Sequence, residues 1–306
     1  VRENSLVRWI ETYPQPSSQR IPVGIGDDAA LLAWSAEHHA NQDMVVTTDL
    51  IADGTHFLSA ECSAQQIGRK AMAVNLSDIA AMAAKPIAAF VSLLLPADTT
   101  ETYVRGLMSA AIDLANEFDC VVAGGDTNCW DGPLAVNVLV VGETLPQGPL
   151  LRSAARDGDV LCVTGELGGS IHEHHFDFVP RIREAIWLRS NFEINAGMDL
   201  SDGLSLDLQR MCAASDCGAD VMLDQLPIST RFEAKDRDDA IRRAIGDGED
   251  FELLLAMPAD ASQRVLDHPD RNFPFTPIGV MTKAGEITIV DGASRTPMPT
   301  LGYEHQ

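Results

Sequence analysis

Six short aspartate-bearing segments are spread along the 306 residues of this chain, and its fold must either gather them or leave six separate turns. In order they read GDDAA (26–30), TTDLIADGTHF (47–57), NLSDIAAM (75–82), GGDT (124–127), DLSDG (199–203) and GEDFEL (248–253). They carry Gly, Ser or Thr and stand at the ends of apolar runs. Carboxylates repel a phosphate, and the repulsion grows as water is excluded. Several of them around one cleft therefore call for divalent cations between protein and substrate. Oxygen donors without Cys or paired His favour Mg²⁺.

Between these segments, apolar β-rich runs alternate with Ala-rich helical ones, the pattern of an α/β or α+β fold. Strands are expected at 44–48, 88–95, 120–123 and 135–141, with helices at 63–84 and 99–118. The stretch ETLPQGPLLRSAARDG (143–158) has no clean period and marks a domain junction, so we expect domains at 1–145 and 146–306. The second half repeats the style, with strands expected at 160–164, 220–223, 251–257 and 276–280 and helices at 205–214 and 236–245. NLSD (75–78) and DLSD (199–202) echo each other, each read as preceding helical sequence.

Charge narrows the function. Against 22 Lys and Arg stand 45 Asp and Glu, a net charge of −23, which argues against nucleic acid and anionic membranes as partners. The six cysteines form no CxxC pair and read as reduced thiols, as in a cytoplasmic enzyme. No apolar run reaches the roughly 18 residues of a membrane span, and no signal peptide is visible.

Each motif has its own chemistry. Gly24-Ile-Gly26-Asp-Asp-Ala29 imitates a dinucleotide fingerprint, but two carboxylates in the phosphate loop would repel the pyrophosphate. A metal-ligand loop is the better reading, with Asp28 as ligand and Asp27 shaping the turn. Thr47, Thr48 and Asp49 end a strand with oxygen donors suited to a hard cation or to capping. His56 in ADGTHF reads as a substrate contact or an ordinary buried histidine, its neighbourhood favouring contact. Asn75 and Asp78 stand three apart on a helix among small apolar residues, where an acid needs a partner. In GGDT, Gly125 allows close approach to a phosphate while Asp126 holds its metal. In DLSDG, Asp199, Ser201 and Asp202 offer ligation or a helix cap. His172-Glu-His174-His175 is not a zinc motif and reads as a solvated loop.

Taken together and in order, GIGDDAA, TTDLIADGTHF, KAMAVNLSDIAAM, GGDT, DLSDGLSLDL and GEDFELL resemble the thiamine-monophosphate kinases of the aminoimidazole-ribonucleotide-synthetase-like superfamily. The resemblance runs from about residue 3 to 303. It implies a two-domain fold, a homodimer paired through the N-terminal domains, and ATP-dependent phosphorylation of thiamine phosphate to thiamine diphosphate. It assigns several Mg²⁺ ions to Asp28, Thr47, Thr48, Asp49, Asp78, Asp126, Asp199 and Asp202, with Asp78 and Asp126 catalytic through the metal. It places ATP on Gly125, Asp126, Arg152 and Ser201, and thiamine phosphate on His56 and Glu249. Glu249 is expected to attract the positive thiazolium. A related enzyme with another small acceptor, or a silent ATP- and Mg²⁺-binding module, is the alternative. Departures fall in the second half. Thr300 precedes Leu301-Gly302-Tyr303 where a Trp is usual, leaving the stacking role to Tyr303, another aromatic or none, and the segment 169–180 is shortened.

Overall fold

The computed structural model describes residues 21–23, 27–33, 43–172, 174–283 and 285–303. The Gly24–Gly26 half of the fingerprint-like segment lies outside them. Strands β1 (Ala30–Ala33), β2 (Asp43–Ala52), β3 (Ala84–Pro96), β4 (Val121–Trp130) and β5 (Ala135–Thr144) form one sheet in the order β1-β2-β5-β3-β4. All its pairs are antiparallel except β3 with β4. Strict alternation in β5 buries Val136, Val138 and Val140 on one face.

Two helices, α1 (Ala64–Ala81) and α2 (Glu101–Glu117), belong to this half. Ser63 starts α1 with a reciprocal cap, accepting from Gln66 N at 3.2 Å while Gln66 Oε1 accepts from Ser63 N at 2.9 Å. Small residues dominate α1, and it is buried on nearly every side. A helix apolar all round is one enclosed by other elements. The core around Met72, Leu76 and Ile79 continues into Phe178, Ile182, Phe251 and Leu253 of the second half.

That second half holds a seven-stranded sheet. Its strands are β6 (Val160–Thr164), β7 (Ala196–Asp199), β8 (Cys217–Met222), β9 (Leu253–Met257), β10 (Phe275–Lys283), β11 (Ile287–Asp291) and β12 (Ser294–Pro297), ordered β12-β11-β8-β10-β6-β9-β7. Its helices are α3 (His174–Asp177), α4 (Ile182–Asn191), α5 (Leu204–Ser215), α6 (Arg237–Gly246) and α7 (Ala259–Leu266). No helix among the described residues is long and apolar enough to cross a membrane.

Three local expectations are corrected. GGDT does not follow a strand: it lies inside β4, which runs on to Trp130 in parallel with β3. Gly125 serves that pairing, because a Cβ there would stand 1.7 Å from Val91 O. NLSD lies in the last turns of α1 rather than before a helix, so the echo with DLSD is not one of position. Finally, His175 is buried instead of solvated, because it meets the buried Lys70.

Candidate active site

A cavity of about 1200 Å³ opens between the two halves. One end is acidic. Asp28 precedes β1, Asp78 stands near the end of α1 and Asp199 ends β7, and one carboxylate oxygen from each lies within 4.8 Å of the others. Strand alternation aims Thr47 at this cluster, where its hydroxyl donates to Asp78 Oδ2. Asp49, two residues on, also lines the cavity, and its backbone N donates to Asn75 Oδ1 at 3.0 Å. Asn75 thus braces β2 on α1. Thr48 has its hydroxyl turned to β5, donating to Val138 O at 3.0 Å.

These carboxylates distort one another's acidity. Burial drives Asp78 well above the usual carboxylate range, and the charges of Asp49, Asp199 and Asp28 add to it. Asp199 is likewise raised, first by burial and then by Asp28, although Ser77 Oγ donates to it at 2.5 Å. Asp27 is pushed up to about 6 by burial and by Asp28. Arg152 is the local counter-charge. Its Nη2 lies 2.6 Å from Asp28 Oδ1, and that pairing outweighs the burial that would otherwise weaken its charge. The second oxygen, Asp28 Oδ2, is buried without a hydrogen-bond partner among the described residues. A buried orphan acceptor beside two proton-seeking carboxylates fits a divalent cation, whose charge would release those protons.

The adjoining wall is built from two loops laid together. Gly203 of DLSDG has φ +104°, and a Cβ there would stand 2.9 Å from Asp247 O. Glu249 N donates to Ser201 O at 2.7 Å and Phe251 N to Leu200 O at 2.8 Å. Asp202 pairs with Arg210 at 2.5 Å, and Arg210 also meets the fully buried Asp207 at 2.6 Å. Asp207 accepts from the N–H groups of Asp202 and Gly203, so it shapes the loop from beneath. Burial, then Asp202, pushes it up to about 7.

At the far end Glu249 meets two residues that sequence reasoning missed. Lys70 of α1, fully buried, places Nζ 2.6 Å from Glu249 Oε1, 2.8 Å from the carbonyl of His56 and 2.7 Å from His175 Nδ1. Burial favours the protonated Glu249, but His175 and Lys70 outweigh it and hold the carboxyl below its ordinary range. The charge expected to face a thiazolium is therefore already met from within the protein. His56 Nδ1 accepts from Ala52 N at 3.1 Å. Gly302 and Tyr303 line the cavity, whereas Thr300 turns to Gln209 at 3.4 Å.

Of the expected site residues, Asp28, Thr47, Thr48, Asp49, His56, Asp78, Arg152, Asp199, Ser201, Asp202 and Glu249 line this one cavity. Gly125 and Asp126 do not. Asp126 is exposed on β4, with its carboxylate taken by Thr127 N at 2.9 Å and Asn128 Nδ2 at 3.0 Å.

This pairing of two mixed sheets across an acid-lined cleft matches AIR synthase related proteins, their N-terminal domain over residues 26–144 and their C-terminal domain over 156–292. The thiamine-monophosphate kinase of Rhodopirellula baltica is 41% identical over 284 residues, 90% of this chain and 88% of that protein. The thiamine-monophosphate kinase of Escherichia coli K12 is 35% identical over 331 aligned positions, covering 99% and 98% of the two chains. AaThiL complexed with AMPPCP and TMP superposes with a TM-score of 0.84 at 25% identity, covering 100% of this chain and 97% of that one. The chain belongs to the thiamine-monophosphate kinase family.

Proposed function

We propose that this chain phosphorylates thiamine phosphate to thiamine diphosphate with ATP, by direct in-line transfer assisted by several Mg²⁺ ions. The observation that carries the reading is the Asp28–Asp78–Asp199 cluster, with its orphan Asp28 oxygen, in one cavity with the Lys70-held Glu249. The relatives named above support both substrates.

The attacking atom is a phosphate oxygen whose second pKa is about 6, so it is largely deprotonated at neutral pH and no general base is needed. The protein must instead bring two anions together and align them. Asp28, Asp78 and Asp199, with Asp49, Asp202 and the hydroxyl of Thr47 beside them, would hold the cations. Bound there, Mg²⁺ supplies neutralisation of charge on the phosphoryl oxygens. Arg152 and Ser201, both lining the same cavity, would bind the nucleotide phosphates, with the Arg152 charge adding to that of the cations. His56 and Glu249 hold the acceptor at the other end.

A homodimer paired through the N-terminal domains fits β4, nearly every residue of which is exposed along its length. Pairing through this strand would let a neighbouring copy bring Gly125 and Asp126 toward a cavity. The 145/146 domain boundary falls between the last strand of the first sheet and the first of the second. A cytoplasmic location agrees with reduced cysteines.

The test is ADP formation from ATP and Mg²⁺, with and without thiamine phosphate, with the product identified by mass. Thiamine diphosphate appearing only with both substrates is the expected result. ADP without it, or no ADP at all, sinks the reading.

A further inference from the structure

Lys70 enters the scheme above only as the residue that holds Glu249, yet its side chain is fully buried. Its ammonium donates to Glu249 Oε1 at 2.6 Å and to the His56 carbonyl at 2.8 Å, and stands 2.7 Å from His175 Nδ1, which can accept from Lys70 or donate to Glu249 but not both. Burying a lysine completely is costly unless each donor is met. Packing alone would be served by a methionine.

Its neighbour Arg69 reinforces the arrangement. Arg69 Nη1 donates to Phe176 O at 2.9 Å and Nη2 to Phe178 O at 2.6 Å, fixing the chain that directly follows His175. Phe178 in turn stacks on Phe251 at 4.3 Å, with the rings inclined by 13°. His175 Nδ1 stands 2.9 Å from Glu249 Oε2, so Lys70, His175 and Glu249 form a closed triangle. Glu249 sits at φ +64°, a strained backbone that only such surroundings maintain.

The consequence lies in what Glu249 can still do. Its side chain is 29% exposed and faces the cavity. Each carboxylate oxygen accepts about two hydrogen bonds; Lys70 takes one direction on Oε1, and His175 takes at most one on Oε2. The pair Lys70–Glu249 carries no net charge. We propose that Lys70 is a positioning residue that converts Glu249 from a counter-ion into an oriented hydrogen-bond acceptor, so that this end selects a substrate bearing an N–H donor on a flat ring rather than a positive charge. This rests on the acceptor reading above, where the amino group of the pyrimidine is the matching donor.

The experiment compares thiamine phosphate with two phosphorylated analogues, one lacking the pyrimidine amino group and one with an uncharged ring in place of the thiazolium. For the wild type, kcat/KM falls about a hundredfold or more without the amino group, the penalty of leaving a buried polar group unmatched, and far less without the charge. In Lys70→Met the KM for thiamine phosphate rises about tenfold, the ATP KM stays within about twofold, and discrimination against the desamino analogue collapses. The double variant Lys70→Met/Glu249→Gln removes both charges together and keeps the fold where the single variant does not. It too loses the discrimination. If loss of the ring charge costs more than loss of the amino group, or a folded variant keeps the discrimination, the inference is wrong while the acceptor reading stands. No transfer to thiamine phosphate by the wild type overturns both.

Discussion

Ser77 Oγ donates to Asp199 Oδ2 at 2.5 Å, so the two similar tetrapeptides NLSD and DLSD meet across the cleft. The bond, with the charge of Arg152, favours the ionised Asp199 against burial and the charges of Asp28 and Asp207. Ser77→Ala is expected to destabilise the metal-free protein by about 1–2 kcal/mol, the cost of leaving a buried acceptor unmatched. Urea unfolding with and without Mg²⁺ measures it, and the loss should shrink when the cation is present.

Asp78→Asn should act in opposite directions on stability and activity. Removing one of several clustered buried charges raises the metal-free melting temperature, because desolvation and repulsion both disfavour the ionised form. The same change lowers kcat by about a hundredfold or more. It should also abolish the Mg²⁺-dependent rise in melting temperature that linkage predicts for the wild type. A variant that keeps that rise would remove Asp78 from the metal site.

Asp250 provides a pH prediction away from the acidic cluster. Burial pushes its carboxyl up to about 8, against hydrogen bonds from Ser170 Oγ and Gly168 N. Its folded value lies above the ordinary 3.8, so the native chain binds the extra proton. The stability it contributes is complete below about pH 4 and is lost as pH rises through about 8. Asp250→Asn should flatten the fall in metal-free stability over that window, read from denaturation midpoints at pH 5 to 8.

Arg210 braces the DLSDG loop through Asp202 and Asp207. Arg210→Met leaves Asp207 buried without a cation, at a cost of about 2 kcal/mol once the guanidinium's partial exposure is discounted. The ATP KM should rise with it, since Asp202 and Ser201 share that loop. An unchanged unfolding free energy would show that the two backbone N–H groups alone satisfy Asp207.

Gly203→Ala tests the seam between the two loops. The backbone there has φ +104°, and the added methyl would press on Asp247 O. A loss of about 1–3 kcal/mol is expected, with a rise in KM for both substrates because the loops separate. Thermal unfolding and steady-state kinetics together check it.

Much of the acidic end was legible in the sequence because its carriers announce themselves. Asp28, Asp78 and Asp199 sit in motifs whose composition already sets them apart, and the cavity collects them. Thr48 also lines the cavity, but alternate residues on a strand face opposite ways, so its hydroxyl turns to β5 while Thr47 and Asp49 take the inner face. GGDT was misplaced because paired glycines signal a turn, whereas here they admit close strand pairing. Lys70 and His175 were invisible as a pair. They stand 105 positions apart, and nothing local in a histidine-rich stretch tells a buried ring from a solvated one.

One helix reaches both ends of the cavity. Lys70 and Asp78 stand eight positions apart on α1, about 12 Å along its axis at 1.5 Å per residue. With the acceptor and phosphates bound as proposed, the helix would act as a ruler between the acceptor's ring and the phosphates. An acceptor a few ångströms longer or shorter would meet one mark on the ruler and miss the other. Selection by molecular length is thus written into a stretch of backbone that need touch neither substrate.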